Sequence, residues 1–381
     1  MKESTICVIG HPFAPSGVGQ LARSVIDALL ATGRDVHIVD CHGYYPHWPR
    51  YSKRMVDKPG PGTNIYCING DEVEAILLKL GPLNSDARNI IFPAWELPQY
   101  PRDWATQLDR FEEIWSMSAF STSSFRTSVT RPVKTVHIAV APQINRHHSR
   151  KHFGLPDSAY LFFFTFDFTS YATRKNPFAV MAAFHQCIRE RPRTDTLLLI
   201  KVGNSQHHPQ AMQELKQAVS RFEGRVRLMD QRLCDDEMKS LLMTSDALVS
   251  LHRAEGFGLL LAEAMYFEKP VVATGYSGNM AFMDRETALL VDHQLVPVNE
   301  GEYPYHGGQT WAEPDVEQAT RCMISLLDDR AAGQHLGKKA GRHIRHALAP
   351  LRVGRTYLAA LDEKVPPLPL KEDQQAYALS L

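Results

Sequence analysis

Two glutamates, Glu255 and Glu263, bracket Gly256-Phe257-Gly258 and the apolar run Leu259-Leu260-Leu261-Ala262. Carboxylates accept hydrogen bonds strongly from vicinal hydroxyls. A glycine turn that opens a helix offers backbone N–H groups and a helix dipole to an anion. A ligand that is anionic and also rich in hydroxyls, such as a sugar nucleotide, satisfies both. Either acid alone would read as an ordinary helix-terminal or exposed helical residue. The pair, with its two glycines and the strand-like Ala247–Leu251 before it, carries the ligand reading.

Arg174 and Lys175 precede Asn176-Pro177, between a strand pattern and a helix pattern. Two cations at such an edge can neutralise a departing diphosphate, and the plain alternative is a solvated basic pair. Ser16-Gly17-Val18-Gly19 forms a glycine loop before a helix, but Ala22 stands where a dinucleotide fingerprint has its third glycine, so the motif is weak by itself. In Thr274-Gly275-Tyr276-Ser277-Gly278 the amides of Ser277 and Gly278 could cap a sugar, or the segment is a simple turn. Trp95 could stack on a sugar beside Glu96, or be buried. His252 has no second ligand at helical spacing, so no metal is assigned.

These residues need a scaffold. Short apolar runs alternate with 3.6-periodic segments along the chain, the signature of βαβ units with a parallel sheet covered by helices. The first half has strand candidates at 5–9, 36–39, 64–68, 89–92, 113–116 and 135–140. A helix with Leu21, Val25, Leu29 and Leu30 on one face ends at Gly33. The aromatic, basic stretch Gly43 to Gly62 reads as a long loop or a short irregular helix. After a polar linker at 142–150, strands at 160–166, 196–202, 226–229, 247–251 and 271–274 alternate with helices, one opening at Pro177 as proline at a first turn should. The tail is helical and ends in Pro366-Pro367-Leu368-Pro369.

The chain has 381 residues, more than one ordinary core accommodates. Lys and Arg together number 42, as do Asp and Glu, which gives no global pull toward nucleic acid or membrane. Six scattered cysteines without a C-x-x-C pair read as reduced thiols. No apolar run is long enough for a membrane span.

Together these motifs resemble the retaining family 4 glycosyltransferases, in a branch found among bacterial polysaccharide gene products. Glu255 to Glu263 is the most specific part. Arg174-Lys175-Asn176-Pro177, Ala273 to Met280, Leu295-Val296-Pro297-Val298 and Trp311 to Asp315 add to it. The resemblance implies an α/β GT-B architecture of two Rossmann-like parallel-sheet domains facing a central cleft. An acceptor domain would span residues 1–145 and a donor domain 146–352, with the helix from about 353 to 381 packing back on the first. Glu255 would contact the transferred sugar and Glu263 the ribose, while Lys175, helped by Arg174, would hold the diphosphate. Gly256, Phe257, Gly258 and Leu259 would present backbone amides, Gly17 and Gly19 would let the N-terminal loop approach the donor, and Trp95 and Glu96 would lie toward the acceptor. The family's Gly-Arg pair after the first C-terminal strand is replaced here by Phe166-Asp167-Phe168, and Arg174 is the substitute cation.

The implied reaction is metal-independent hexose transfer, without a cofactor, from a GDP- or UDP-linked sugar to a glycan or lipid-linked acceptor. GDP-mannose is the donor this branch suggests. The expected location is the cytoplasm, with contact at the inner membrane face left open, as is the oligomeric state. A nicotinamide-dependent Rossmann oxidoreductase and a non-catalytic sugar-nucleotide-binding protein are the alternatives.

Overall fold

The computed structural model describes residues 5–43 and 49–362. Its first sheet contains β1 (Ile6–Gly10), β2 (Val36–Asp40), β3 (Gly62–Cys67), β4 (Ala87–Ile91), β5 (Glu113–Ser116) and β6 (Val133–Thr135). They lie in the order β2-β1-β3-β4-β5-β6 and all pair in parallel. The second sheet contains β7 (Tyr160–Asp167), β8 (Thr196–Gly203), β9 (Val226–Met229), β10 (Ala247–Ser250), β11 (Val271–Thr274) and β12 (Leu289–Val291). Its order is β12-β11-β10-β7-β8-β9, again all parallel. An antiparallel hairpin, β13 (His293–Pro297) with β14 (Thr310–Pro314), follows.

Helices cover both faces of each sheet, so central strands are apolar throughout rather than alternating. In β7, Tyr160, Phe162, Phe164 and Phe166 enter one core while Leu161 and Phe163 enter the other. Phe162 meets Phe184 of the helix Pro177–Glu190 edge-on, at 6.2 Å between ring centroids. The strand order reverses between β1 and β3 in the first sheet and between β7 and β10 in the second. Open α/β sheets bind ligands at the carboxyl ends of strands beside such reversals, so the loops after β1, β3, β7 and β10 are where the topology places chemistry.

The last described helix, Pro350–Asp362, lies along the helix Gly17–Ala31. A Cβ on Gly354 would sit 2.1 Å from the Ala28 carbonyl oxygen, so only glycine permits this approach. Tyr357 is fully buried, packs 5.2 Å from the Trp115 ring and donates to the His137 carbonyl at 2.7 Å. The chain thus returns to the N-terminal half after completing the C-terminal one.

One expectation changes. The strand expected at 135–140 is confined to Val133–Thr135. Val136 still donates to Ser116, but Val140 donates to Leu348 instead of a strand neighbour. The apolar residues there are buried between the sheet and the tail helices without pairing. In the aromatic stretch, Pro49–Ser52 is a short helix, whereas Tyr44, Tyr45, His47 and Trp48 lie outside the described residues, as does the proline run at 366–369. All six cysteines are free, and burial pushes the Cys7 and Cys41 thiols up to about 12. No helix among the described residues is long and apolar enough to cross a membrane.

Candidate active site

The loops after β7 and β10 are joined by their backbones, since Arg253 N–H donates to the Arg174 carbonyl at 2.8 Å. Lys175 ends a short helix, Ala172–Lys175, and its ammonium ion-pairs with Glu255 Oε1. Arg174 reaches the other carboxylate oxygen at 3.4 Å and Glu96 Oε1 at 3.7 Å. Burial alone would raise the Glu255 carboxyl, but Lys175 and Arg174 outweigh it and hold the group down at about 2. Burial lowers the Lys175 ammonium against the pull of Glu255. The Arg174 guanidinium is raised in spite of burial, by Glu96 and Glu255. The result is two cations and two carboxylates interleaved at the reversal point of the second sheet.

Arg174 is more committed than the sequence reading assumed. The residue is 3% exposed, and its guanidinium donates to the Ala254 and Ser170 carbonyls at 2.8 and 3.2 Å. It also stands 5.9 Å from the Tyr303 ring centroid. It therefore orients Glu255, and Lys175 is the cation with a side chain only half-buried.

Backbone meets backbone around Glu255. Glu255 N–H donates to Ser277 Oγ, and Gly278 N–H to the Glu255 carbonyl, both at 2.8 Å. A Cβ on Gly278 would lie 2.0 Å from the Gly256 carbonyl oxygen, and one on Gly256 would lie 3.0 Å from the Trp95 carbonyl oxygen. Ser277 adopts φ 73°, a left-handed conformation that side chains seldom take. His252 is buried against this turn, between Ser250 Oγ and Asn279 Oδ1, each at 3.1 Å. Burial lowers its imidazole below the ordinary value, so it is neutral and ties β10 to the turn. Gly258, at φ 86°, caps the helix Leu259–Tyr266 and aims its first N–H groups out of the sheet edge. Phe257 is buried against Phe282, so only its backbone can face a ligand.

This loop is also where the two halves touch. Ser118 Oγ donates to the Gly256 carbonyl at 2.8 Å, and Ser121 Oγ to the Gly256 and Trp95 carbonyls at 3.2 Å each. Tyr303 donates to Glu96 at 2.6 Å from the strand hairpin region. Trp95 requires a correction. Its ring is 2% exposed, donates to the Gln99 carbonyl at 2.9 Å and packs edge-on against Tyr100, Trp104 and Tyr303. Sealed in that aromatic cluster, it has no face left for a sugar. Glu96 belongs with the Arg174 cluster.

Glu263, one turn into its helix, is half-buried at the same junction. Burial and Asp235 push its carboxyl up to about 7, against Lys239 and Arg23. Arg23 comes from the helix Gly17–Ala31, whose N-cap Ser16 accepts from Gly19 N–H at 3.2 Å. Gly19 is required by that turn, because a Cβ there would lie 2.2 Å from the Ala14 carbonyl oxygen. Gly17 has nothing within 4 Å of a Cβ position and is exposed.

Sequence reasoning missed Tyr303, Ser118, Ser121 and the Arg253–Glu313 pair at 2.6 Å that anchors β14 to this loop. Ser118 left a trace as an N-cap before the helix Ala119–Arg126. Tyr303 left none.

The fold finds counterparts among known proteins. Superposition on the Anabaena protein HepE in complex with UDP and glucose gives a TM-score of 0.68 at 12% identity, covering 94% of this chain and 99% of that one. The fold is GT-B. Residues 163–297 match the family model of glycosyl transferases group 1, a span that includes the C-terminal-half site residues named from the sequence but not Tyr303 or Glu313. Sucrose-phosphate synthase from Thermosynechococcus elongatus superposes with a TM-score of 0.67 at 16% identity, covering 94% of this chain and 99% of that one. Trehalose synthase from Thermococcus litoralis is 28% identical over 110 residues, which are 29% of this chain and 21% of that protein. The chain therefore spans about a fifth of the length of this curated relative.

Proposed function

We propose that the protein is a retaining glycosyltransferase that moves a hexose from a nucleoside diphosphate sugar to a saccharide hydroxyl without a metal at the diphosphate. The observation that carries this is the Lys175–Glu255–Arg174 set at the β7/β10 reversal, with the N-terminal half in contact through Ser118 and Glu96. A diphosphate would draw Lys175 from Glu255, and the freed carboxylate oxygen would accept from a sugar hydroxyl. The N–H groups following Gly258 and the helix dipole behind them would share the phosphate charge. Glu263, ionised, would accept from the ribose hydroxyls.

Bond changes balance without a protein nucleophile. The bond from the anomeric carbon to the β-phosphate oxygen breaks, and the acceptor oxygen bonds to that carbon from the same face. The acceptor proton passes to the departing phosphate oxygen. Lys175 and the helix N-terminus stabilise the leaving charge as it develops. Glu255 orients the sugar, Arg174 positions Glu255, and the apposed halves exclude water.

The likeness to HepE in complex with UDP and glucose supports a UDP-linked glucose donor over the GDP-mannose that the polysaccharide-type branch suggests. A glycan or lipid-linked acceptor and a peripheral cytoplasmic location remain part of the same reading. The test is product analysis: UDP-glucose and GDP-mannose are each offered with a panel of saccharide acceptors, and the new linkage is assigned by NMR. Transfer with the donor's anomeric configuration kept is expected. Inverted product overturns the retaining mechanism. Near wild-type rates for both Glu255→Ala and Lys175→Ala overturn the site.

A further inference from the structure

The first sheet has its own reversal point, between β1 and β3, and the proposed transfer chemistry uses none of the side chains there. His11 follows β1, His42 follows β2 and Glu72 follows β3, so three adjacent strands deliver them to one carboxyl edge. His11 Nε2 lies 2.7 Å from Glu72 Oε1, and the rings of His11 and His42 stack with centroids 4.2 Å apart and planes 20° apart. One ligand atom from each of the three falls within 4.8 Å of the others. His11 is 4% exposed, and its Nδ1 is buried with no hydrogen-bond partner among the described residues.

We propose that His11, His42 and Glu72 form a binding site for a divalent transition cation of the zinc class, in the N-terminal half. Two imidazoles and a carboxylate are a borderline donor set that suits zinc and not the all-oxygen preference of calcium or magnesium. Zinc ligands at tetrahedral geometry stand about 3.3 Å apart. The His11–Glu72 contact would open slightly and the wider separations would contract, which side-chain rotation allows because His42 is exposed. The other carboxylate oxygen of Glu72 accepts from the Asn69 N–H at 2.9 Å, which fixes the orientation of the group.

The site has a mechanical link to the glycine loop. The His11 carbonyl accepts from Ala14 N–H at 2.9 Å and lies under Gly19, 2.8 Å from where a Cβ would be. A cation on His11 braces the turn that starts the helix Gly17–Ala31. The competing explanation is a structural His–Glu hydrogen bond with no cation.

Chelator-treated full-length protein titrated with Co2+, then with Zn2+ in competition, separates the two. One equivalent of Co2+ should develop visible ligand-field bands that Zn2+ abolishes. His42→Ala and Glu72→Gln, checked for folding by circular dichroism, should each weaken binding at least about 100-fold, since even outer-shell partners are worth about 10- to 100-fold. His335→Ala, at an exposed histidine elsewhere, should leave binding unchanged. Wild-type protein without a saturable single site, or His42→Ala and Glu72→Gln variants binding Co2+ like wild type, overturns the proposal. Neither readout depends on glycosyl transfer.

Discussion

The two reversal points of this molecule share one topology and differ in how they are filled. At β7/β10 the charges are already paired, Gly278 leaves no clearance for a methyl group, and Gly256 leaves only a tight 3.0 Å. At β1/β3 the glycine loop is partly open, with Gly17 exposed and nothing near it. The lesson is one of preorganisation. A site that stabilises developing charge must hold its dipoles fixed before reaction, and the C-terminal half does so with backbone-to-backbone contacts. The N-terminal half fixes its loop at Gly19 and leaves the rim tolerant.

The largest expected effect comes from removing the half-buried cation. Lys175→Ala should lower kcat for donor turnover by about 10²- to 10³-fold, the range for losing one charge-stabilising donor, with UDP release as the assay and a melting curve to confirm folding. Unchanged kcat would break the contrast at its stronger end. Gly278→Ala should come next. Its methyl must displace the Gly256 carbonyl, and misplacing a catalytic loop by about 1 Å costs about 10²-fold, measured as kcat/KM.

A tenfold effect is expected from pH. With its carboxyl at about 7, Glu263 is largely protonated at pH 6 and ionised at pH 8. If only the ionised form accepts from ribose, UDP-glucose should bind about tenfold more tightly at pH 8 than at pH 6, and Glu263→Gln should flatten the profile. Stability runs the other way. The folded state keeps a proton that the unfolded chain, with its ordinary carboxyl value of 4.5, releases. The Glu263 contribution therefore falls as pH rises from about 4.5 to about 7. The smallest effect should be at Gly17→Ala, where the new methyl meets nothing. Stability should change by less than about 0.5 kcal/mol in a denaturant titration, and a larger loss would mean that the rim is not tolerant.

Local signals were legible in the sequence and distant ones were not. Central strands such as Tyr160–Asp167 are continuous apolar runs because helices cover both sheet faces, so their boundaries differ from expectation by a residue or so. Glu255, the glycines and Glu263 lie in one short segment, which is why the sequence alone could propose them as one site. Val136 to Val140 misled because burial and strand pairing leave the same apolar pattern. Trp95 misled because a strand-end tryptophan can be a platform or a plug, and only its neighbours Tyr100, Trp104 and Tyr303 decide. Ser118 with Gly256, Tyr303 with Glu96, and His11 with His42 and Glu72 join residues from separate loops. Their spacing along the chain has no regularity to detect.

The central claim is that Lys175 at the β7/β10 reversal holds the donor diphosphate. Isothermal titration of UDP-glucose into wild-type protein and Lys175→Ala tests it most directly. Losing a charge-assisted contact worth about 1.5–3 kcal/mol should weaken binding by about 10- to 100-fold. Equal affinities for the two proteins would contradict the claim.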